Sequence, residues 1–294
     1  MDEADNEIEL EYIKQNWKLL EPICLWLNNL KYIPDELRTK ELCESAVKSN
    51  KDALEYVPSR LKTKELCDIA IEQNGCSLKH IPDKFQTLEM YNMAVSNNGL
   101  ALVYVPDELR TKELCELAVQ QNGRLLLYVP HSLITKELCE LAVQKNGEAL
   151  NYVPLEYITP DLCELAVQQD GRLLLYVPKK LRTKELCELA VKLNGCVVYC
   201  IPENIITKEI CEIAVQQNGK ALFYIPDELR TKKLCELAVK ENGEALNYVP
   251  YQWKDELQHY VKNKVLELPI EKYKEIFYEI KILFHKNDIS LDLK

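Results

Sequence analysis

Twelve cysteines, four histidines and a recurring set of glutamates are the residues of this 294-residue chain that could do chemistry. Two pairs have ligand-like spacing. Cys76 with His80, and Cys196 with Cys200, stand four residues apart, a spacing that puts two metal ligands on one helical turn. The two pairs lie five repeats apart, on the order of 50 Å at about 10 Å per packed helix, so they cannot share an ion. Each pair alone offers only two ligands, so no metal and no cofactor are expected. His131, His259 and His285 occur in unrelated contexts, and no glycine-rich phosphate loop, Cys-x-x-Cys pair or His-Glu-x-x-His string is present. Glu113, Glu116 and their counterparts form carboxylate ladders, which a solvated helix face explains. A catalytic carboxylate needs one unusual environment, and a ladder repeats the same one. No catalytic residue is expected and the chain reads as non-enzymatic. The alternative, an enzyme with its site in the terminal helices, would need a cluster of polar groups that the sequence does not show.

The elements that carry these residues are set by a repeat. Prolines recur every 24 residues from Pro34 to Pro250, threonines keep the same register from Thr39 to Thr231, and alanines follow seven residues later from Ala46 to Ala238. All eight glycines, Gly75 to Gly243, fall on one repeat position. A fixed period of this size marks a solenoid whose units bury their apolar faces only against neighbours. Within the unit 111–130, Thr111 is an N-cap and Glu113 complements the helix dipole. Leu114, Cys115, Leu117, Ala118 and Asn122 share one broad face. The pair Asn122-Gly123 is expected to end the helix with glycine in the left-handed conformation. Residues 112–121 are therefore predicted as a long helix and 124–129 as a short one that Pro130 stops. Pro-Asp-Glu-Leu then makes a tight turn. The predicted fold is all-α, an α-solenoid of about nine 24-residue repeats (long helix, short helix, tight turn). Its domains are an N-terminal helical cap at 1–30, the repeats at 31–250 and a C-terminal helical cap at 251–294. Ile270, Tyr273, Ile276, Phe277, Ile280, Leu283 and Phe284 line one side of the last helix, which is alternatively a docking helix. A leucine-rich repeat is the competing fold, because Leu114 to Asn122 carries its string, although no leucine follows two residues after the asparagine.

Composition narrows the function classes. The net charge is −10, and none of the three segments has the basic excess needed to neutralise phosphates, so nucleic acid is not an expected partner. No run of eighteen apolar residues occurs, so no membrane span is expected, and the acidic N-terminus does not read as a secretory signal. Eight cysteines, Cys43, Cys67, Cys115, Cys139, Cys163, Cys187, Cys211 and Cys235, share one repeat position three residues before the alanine. That is the place of a small buried hydrophobe. So many unpaired thiols fit a reducing, cytoplasmic compartment, either bacterial or host cytosol.

The string Ala118-Val119-x-x-Asn122-Gly123-x-x-Leu126-x-Tyr128 resembles an uncharacterised helical-repeat family found in proteins of intracellular bacterial pathogens, secreted effectors among them. The resemblance spans about nine units. It implies an effector, or a regulator that binds and occludes another effector, and carries no established activity.

Function must then lie where the repeats differ. On the short helix, the residue after the glycine and the one three later point the same way. These pairs are polar at the ends of the chain and run Leu100/Val103, Arg124/Leu127, Glu148/Asn151, Arg172/Leu175, Cys196/Tyr199 and Lys220/Phe223 through the middle, where Val103, Leu127, Leu175, Tyr199 and Phe223 replace polar residues. Leu100, Val103, Arg124, Leu127, Arg172, Leu175, Tyr199, Lys220 and Phe223 are accordingly the candidate partner-binding residues. The short helices are expected on an inner, concave face, where apolar groups flanked by basic ones suit an acidic amphipathic segment of another protein. The other reading buries these side chains against the adjacent unit. A purely architectural spacer would instead keep every short-helix face polar.

Overall fold

The computed structural model of the chain describes residues 30–266, with side chains described through His259. The cap expected at 1–30 (Leu30 apart) and the segment 267–294, with its apolar side Ile270 to Phe284, lie outside the described residues. The chain divides into two compact units, Met1–Gln169 and Asp170–Lys294. Unit 1 contains α1 (Lys40–Ser49), α2 (Lys64–Gln73), α3 (Leu88–Asn97), α4 (Lys112–Gln121), α5 (Lys136–Lys145) and α6 (Pro160–Gln169). Unit 2 contains α7 (Lys184–Leu193), α8 (Lys208–Gln217), α9 (Lys232–Glu241) and α10 (Tyr251–Leu266). The fold is an α-solenoid of 24-residue repeats, and the described residues contain no β-strand. The leucine-rich alternative is thereby excluded, since the string Leu114 to Asn122 is helix.

Each ten-residue long helix is marginal by itself. A threonine hydroxyl starts it: Thr111 Oγ1 accepts from the Leu114 N–H at 3.3 Å, and the same bond forms at Thr39, Thr63, Thr87, Thr135, Thr159, Thr183, Thr207 and Thr231. Burial then stabilises it. Leu114, Cys115, Ala118 and Val119 are all fully buried in α4, and a buried leucine contributes roughly 1.5–3 kcal/mol. Val119 takes the core place expected of Asn122, which is exposed, and Leu117 is only half-buried. All eight in-register cysteines are buried. In α3, Tyr91 stands in the cysteine place and is also buried, its hydroxyl hydrogen-bonding Gln86 Oε1 at 3.0 Å.

Both short elements are 3-10 helices. The longer one, Gly123–Tyr128 in its repeat, is held by Leu125 N–H to Asn122 O (3.0 Å) and Val129 N–H to Leu126 O (3.1 Å). A six-residue stretch closed by proline has no room for a regular α-helix, and i to i+3 bonds satisfy it instead. The tight turn is a single 3-10 turn such as Asp107–Leu109. Within each unit, successive long helices pack on one another and successive 3-10 helices do the same, giving two layers.

The glycine does not do what its place after the helix suggests. Asn122 has φ −151° and ψ 114°, extended rather than left-handed, and its Oδ1 caps the 3-10 helix by accepting from the Arg124 N–H at 3.0 Å. The glycine backbone also stays out of the left-handed region. Its role is close approach. A Cβ at Gly75, Gly123, Gly171, Gly195 or Gly219 would overlap the carbonyl oxygen of the alanine in the next long helix, Ala94, Ala142, Ala190, Ala214 or Ala238. Lys51 takes the glycine place in the first repeat, and there the 3-10 helix begins two residues later, at Ala53. Gly243, in the last repeat, has nothing near the position of its missing Cβ.

This contrast predicts two outcomes for one substitution. Gly123→Ala forces a backbone overlap and is expected to cost about 2–4 kcal/mol, seen as a lower urea midpoint. Gly243→Ala meets open space and should be neutral, or stabilising by up to about 1 kcal/mol through the unfolded chain. Equal losses at the two sites would show that close approach is not what selects glycine.

Candidate partner-binding surface

The 3-10 geometry decides which side chains of the short helix face out. With three residues per turn, positions i and i+3 eclipse, so Arg124 and Leu127 stand one above the other and Leu125 and Leu126 point inward. Leu125 and Leu126 are buried, whereas Leu127 is 53% exposed. Leu175, Tyr199 and Phe223 repeat this at 50%, 53% and 54%, Leu100 is 45% exposed, and Val103 is half-buried. The candidate apolar residues are therefore not absorbed by the neighbouring repeat. In unit 2 they continue into rings. Tyr199 lies 5.3 Å from Tyr224 between centroids, and Phe223 lies 4.9 Å from Tyr224 and 5.0 Å from Tyr248. Phe223 and Tyr248 also border an open groove of about 690 Å³ shared with Tyr251 and Trp253.

The basic members of the column are placed differently from the sequence expectation. Arg124 pairs with Glu148 of the next repeat at 3.0 Å, Arg172 with Asp170 at 2.6 Å, and Lys220 with Glu244. These pairs are solvent-exposed, where an ion pair contributes about 0–1 kcal/mol. Their consequence is neutralisation: the three cations that were to attract an acidic partner already face carboxylates of the same chain.

Sequence reasoning missed two sets of residues that hold this surface in place. Arg110, in the linking turn, donates Nε to Val105 O (2.9 Å), Nη1 to Tyr128 O of the following repeat (2.7 Å) and Nη2 to Val103 O (3.5 Å), and pairs with Asp107 at 2.7 Å. Arg230 likewise reaches Ile225 O, Tyr248 O and Phe223 O, with Asp227 at 2.8 Å. Arg38 donates to Ile33 O and Tyr56 O. The five donors of a guanidinium suit several carbonyls at once. The second set is amide-based. Gln121 accepts from the Gly99 N–H at 2.6 Å and donates to Val95 O at 2.7 Å, tying α4 to the end of α3; Gln169 does the same at Gly147 and Val143. The arginines at 38, 110, 182 and 230 share one register position, which was the available signal.

The groups singled out for chemistry disperse. On a 3-10 helix, residues four apart point about 120° away from each other, so Cys76/His80 and Cys196/Cys200 are not facing pairs. Cys196 Sγ accepts from Asn218 Nδ2, and His80 lies 4.0 Å from Glu55. Among the described residues no group of three histidine, cysteine or acidic side chains is placed to hold a metal. Glu116 and Glu140 pair with Lys112 and Lys136 along exposed helix faces at 3.6 Å. Glu113 is held below the usual carboxylate range by its own backbone N–H and the Thr111 hydroxyl, as a capping carboxylate is.

The model of a domain of unknown function, DUF4116, matches residues 5–62, 39–86, 63–110, 87–134, 111–158, 159–206 and 207–254. The chain belongs to this family. The matches after the first advance in register with the 24-residue period, so the repeat of the family is the structural repeat seen here. No curated protein and no solved structure matches the chain. Among the described residues no helix is long and apolar enough to cross a membrane.

The cysteine column generates a pH prediction. Burial raises the thiols of Cys67, Cys115, Cys163, Cys187, Cys211 and Cys235 to about 11 and that of Cys139 to about 12. An exposed thiol ionises near about 8.5, so between these values the unfolded chain binds fewer protons than the folded one. The stability this represents is fully present below about pH 8.5 and is lost as pH rises through about 11. Thermal denaturation should show a flat Tm from about pH 7 to 8 and a steep fall from about pH 9 upward. Alanine at Cys115, Cys163 and Cys187 should flatten that fall; an unchanged slope would assign the alkaline lability elsewhere.

Proposed function

We propose that this chain is a non-enzymatic repeat scaffold that binds another protein along the outward ends of its 3-10 helices. One observation carries the reading. The fourth residue after the repeat's glycine start faces solvent and is apolar at Leu127, Leu175, Tyr199 and Phe223, each about half exposed. Within unit 2, Leu175, Tyr199 and Phe223 hold this register position in three successive repeats, with polar Asn247 in the next, and such a row is a patterned patch of the kind that marks an interaction site; in unit 1 Leu127 holds it between polar residues at Glu55 and Asn151. A spacer would gain nothing from it. The rigid presentation also suits binding, because the arginine clamps fix the carbonyls of residues whose side chains project, Leu175 and Phe223, and little ordering remains to be done on association. Action as a secreted bacterial effector, or by occluding one, is part of this proposal and draws on the family resemblance alone.

Two substitutions test it. Leu127→Glu with Phe223→Glu places a charge on the exposed column of each unit and leaves the buried positions untouched. Immobilised wild-type chain is expected to retain specific partners from a lysate that the double variant loses by about tenfold or more, since exposed apolar anchors at an interface are worth about 1–2 kcal/mol each. Far-ultraviolet circular dichroism should be unchanged. Equal retention by the two proteins would overturn the assignment of this face.

A further inference from the structure

Among the four linking turns that an arginine clamps, one in unit 2 differs from the other three in charge while keeping their shape. In three repeats the clamping arginine is neutralised by an aspartate three residues before it: Asp35 with Arg38 at 2.5 Å, Asp107 with Arg110 at 2.7 Å, and Asp227 with Arg230 at 2.8 Å. The turn before Arg182 is Lys179–Leu181, the same single 3-10 turn, and Arg182 N–H bonds Lys179 O as Arg110 N–H bonds Asp107 O. The residue in the aspartate place is Lys179, and Lys180 follows it. Arg182 makes the full clamp: Nε donates to Val177 O at 2.9 Å, Nη2 to Leu175 O at 3.1 Å, and Nη1 to Cys200 O. Its three partners are backbone carbonyls. The carboxylate that accompanies this guanidinium elsewhere is replaced by a second cation.

The surroundings are those of a binding surface. Arg182 bonds the carbonyl of Leu175, whose side chain is 50% exposed, and that of Cys200, whose neighbour Tyr199 is 53% exposed. Lys179 and Lys180 are exposed beside the half-buried Arg182. A half-buried cation flanked by apolar side chains is a stronger site for a carboxylate than a fully solvated one, because the charge-assisted bond forms where water is partly excluded.

We propose that Arg182 and Lys179 together receive an aspartate or glutamate of a partner protein, in the place that Asp107 and Asp227 fill internally in their own repeats. Apolar residues on either side of that carboxylate rest on Leu175 and Tyr199. The partner is a peptide segment with an acidic residue among apolar ones, and charge complementarity at this one turn gives it its register. The inference rests on the reading of the exposed column as a protein-binding face and adds the anchor point.

The test uses the natural pattern as its own control. Lys179→Asp recreates the aspartate–arginine pair of the other turns, on an exposed side chain and a conformation that already accepts aspartate. A random dodecapeptide library is selected on the immobilised full chain, and the enriched peptides are measured by fluorescence anisotropy. Enriched sequences should carry an Asp or Glu flanked by apolar residues, and Lys179→Asp should weaken them by about tenfold or more with an unchanged thermal midpoint. Asp227→Lys should open a second equivalent site at Arg230. Peptides that lose affinity with Leu175→Glu or Tyr199→Glu but keep it with Lys179→Asp would overturn this anchor while leaving the binding face intact. Enrichment of basic or uncharged peptides would also overturn it, and failure to enrich any peptide at about 100 μM would remove both the anchor and the face.

Discussion

The contact on which the structure depends is the approach of a glycine backbone to the carbonyl edge of the next long helix. At five positions a single added carbon would overlap the alanine carbonyl oxygen of the following repeat. A solenoid whose units touch only their neighbours has no distant contacts to compensate for a poor one. The spacing between repeats therefore depends on two small residues, the glycine of one and the alanine of the next. The cysteine column obeys the same constraint, since its thiol lies three residues before that alanine, fully buried, where a longer side chain would have to be accommodated as Tyr91 is by Gln86.

Close stacking of short 3-10 helices creates a second demand, because such helices leave carbonyls without partners at their ends. The arginine of the linking turn answers it in four repeats, bonding its own 3-10 helix and the next one at once. Lys62 and Gln86 do a reduced version, each with one carbonyl. These polar bonds stiffen the backbone from which the exposed apolar side chains project. Stability and presentation of the candidate surface thus have one source, and the aspartate that normally accompanies the arginine is the part that can vary without disturbing the clamp.

Charge on this face is mostly settled within the chain. Arg124, Arg172 and Lys220 each meet a carboxylate of their own unit, so what distinguishes the middle repeats is apolar area and not positive potential. The turn at Lys179–Leu181 is the exception, and it coincides with the exposed Leu175 and Tyr199.

The sequence by itself determined the period, the identity of the long helices, their threonine caps and most of their buried face. Each of these follows from local rules: a hydroxyl before a helical run, apolar residues on one face, proline as a stop. It also marked which apolar residues share one column, because three-residue spacing on a short helix is legible without coordinates, whereas their exposure, as against packing on the adjacent repeat, was decided by the structure. Only the tertiary structure decided what the glycine is for. Beside an asparagine at the end of a helix, glycine reads as a left-handed cap, and no local rule reports that the next helix passes within contact of it. The same holds for Asn122, which caps the following 3-10 helix instead of filling the core, and for the arginines, whose carbonyl partners lie eighteen residues away. Neutralisation of the basic column was likewise invisible, since Arg124 and Glu148 become neighbours only when one repeat is laid upon the next.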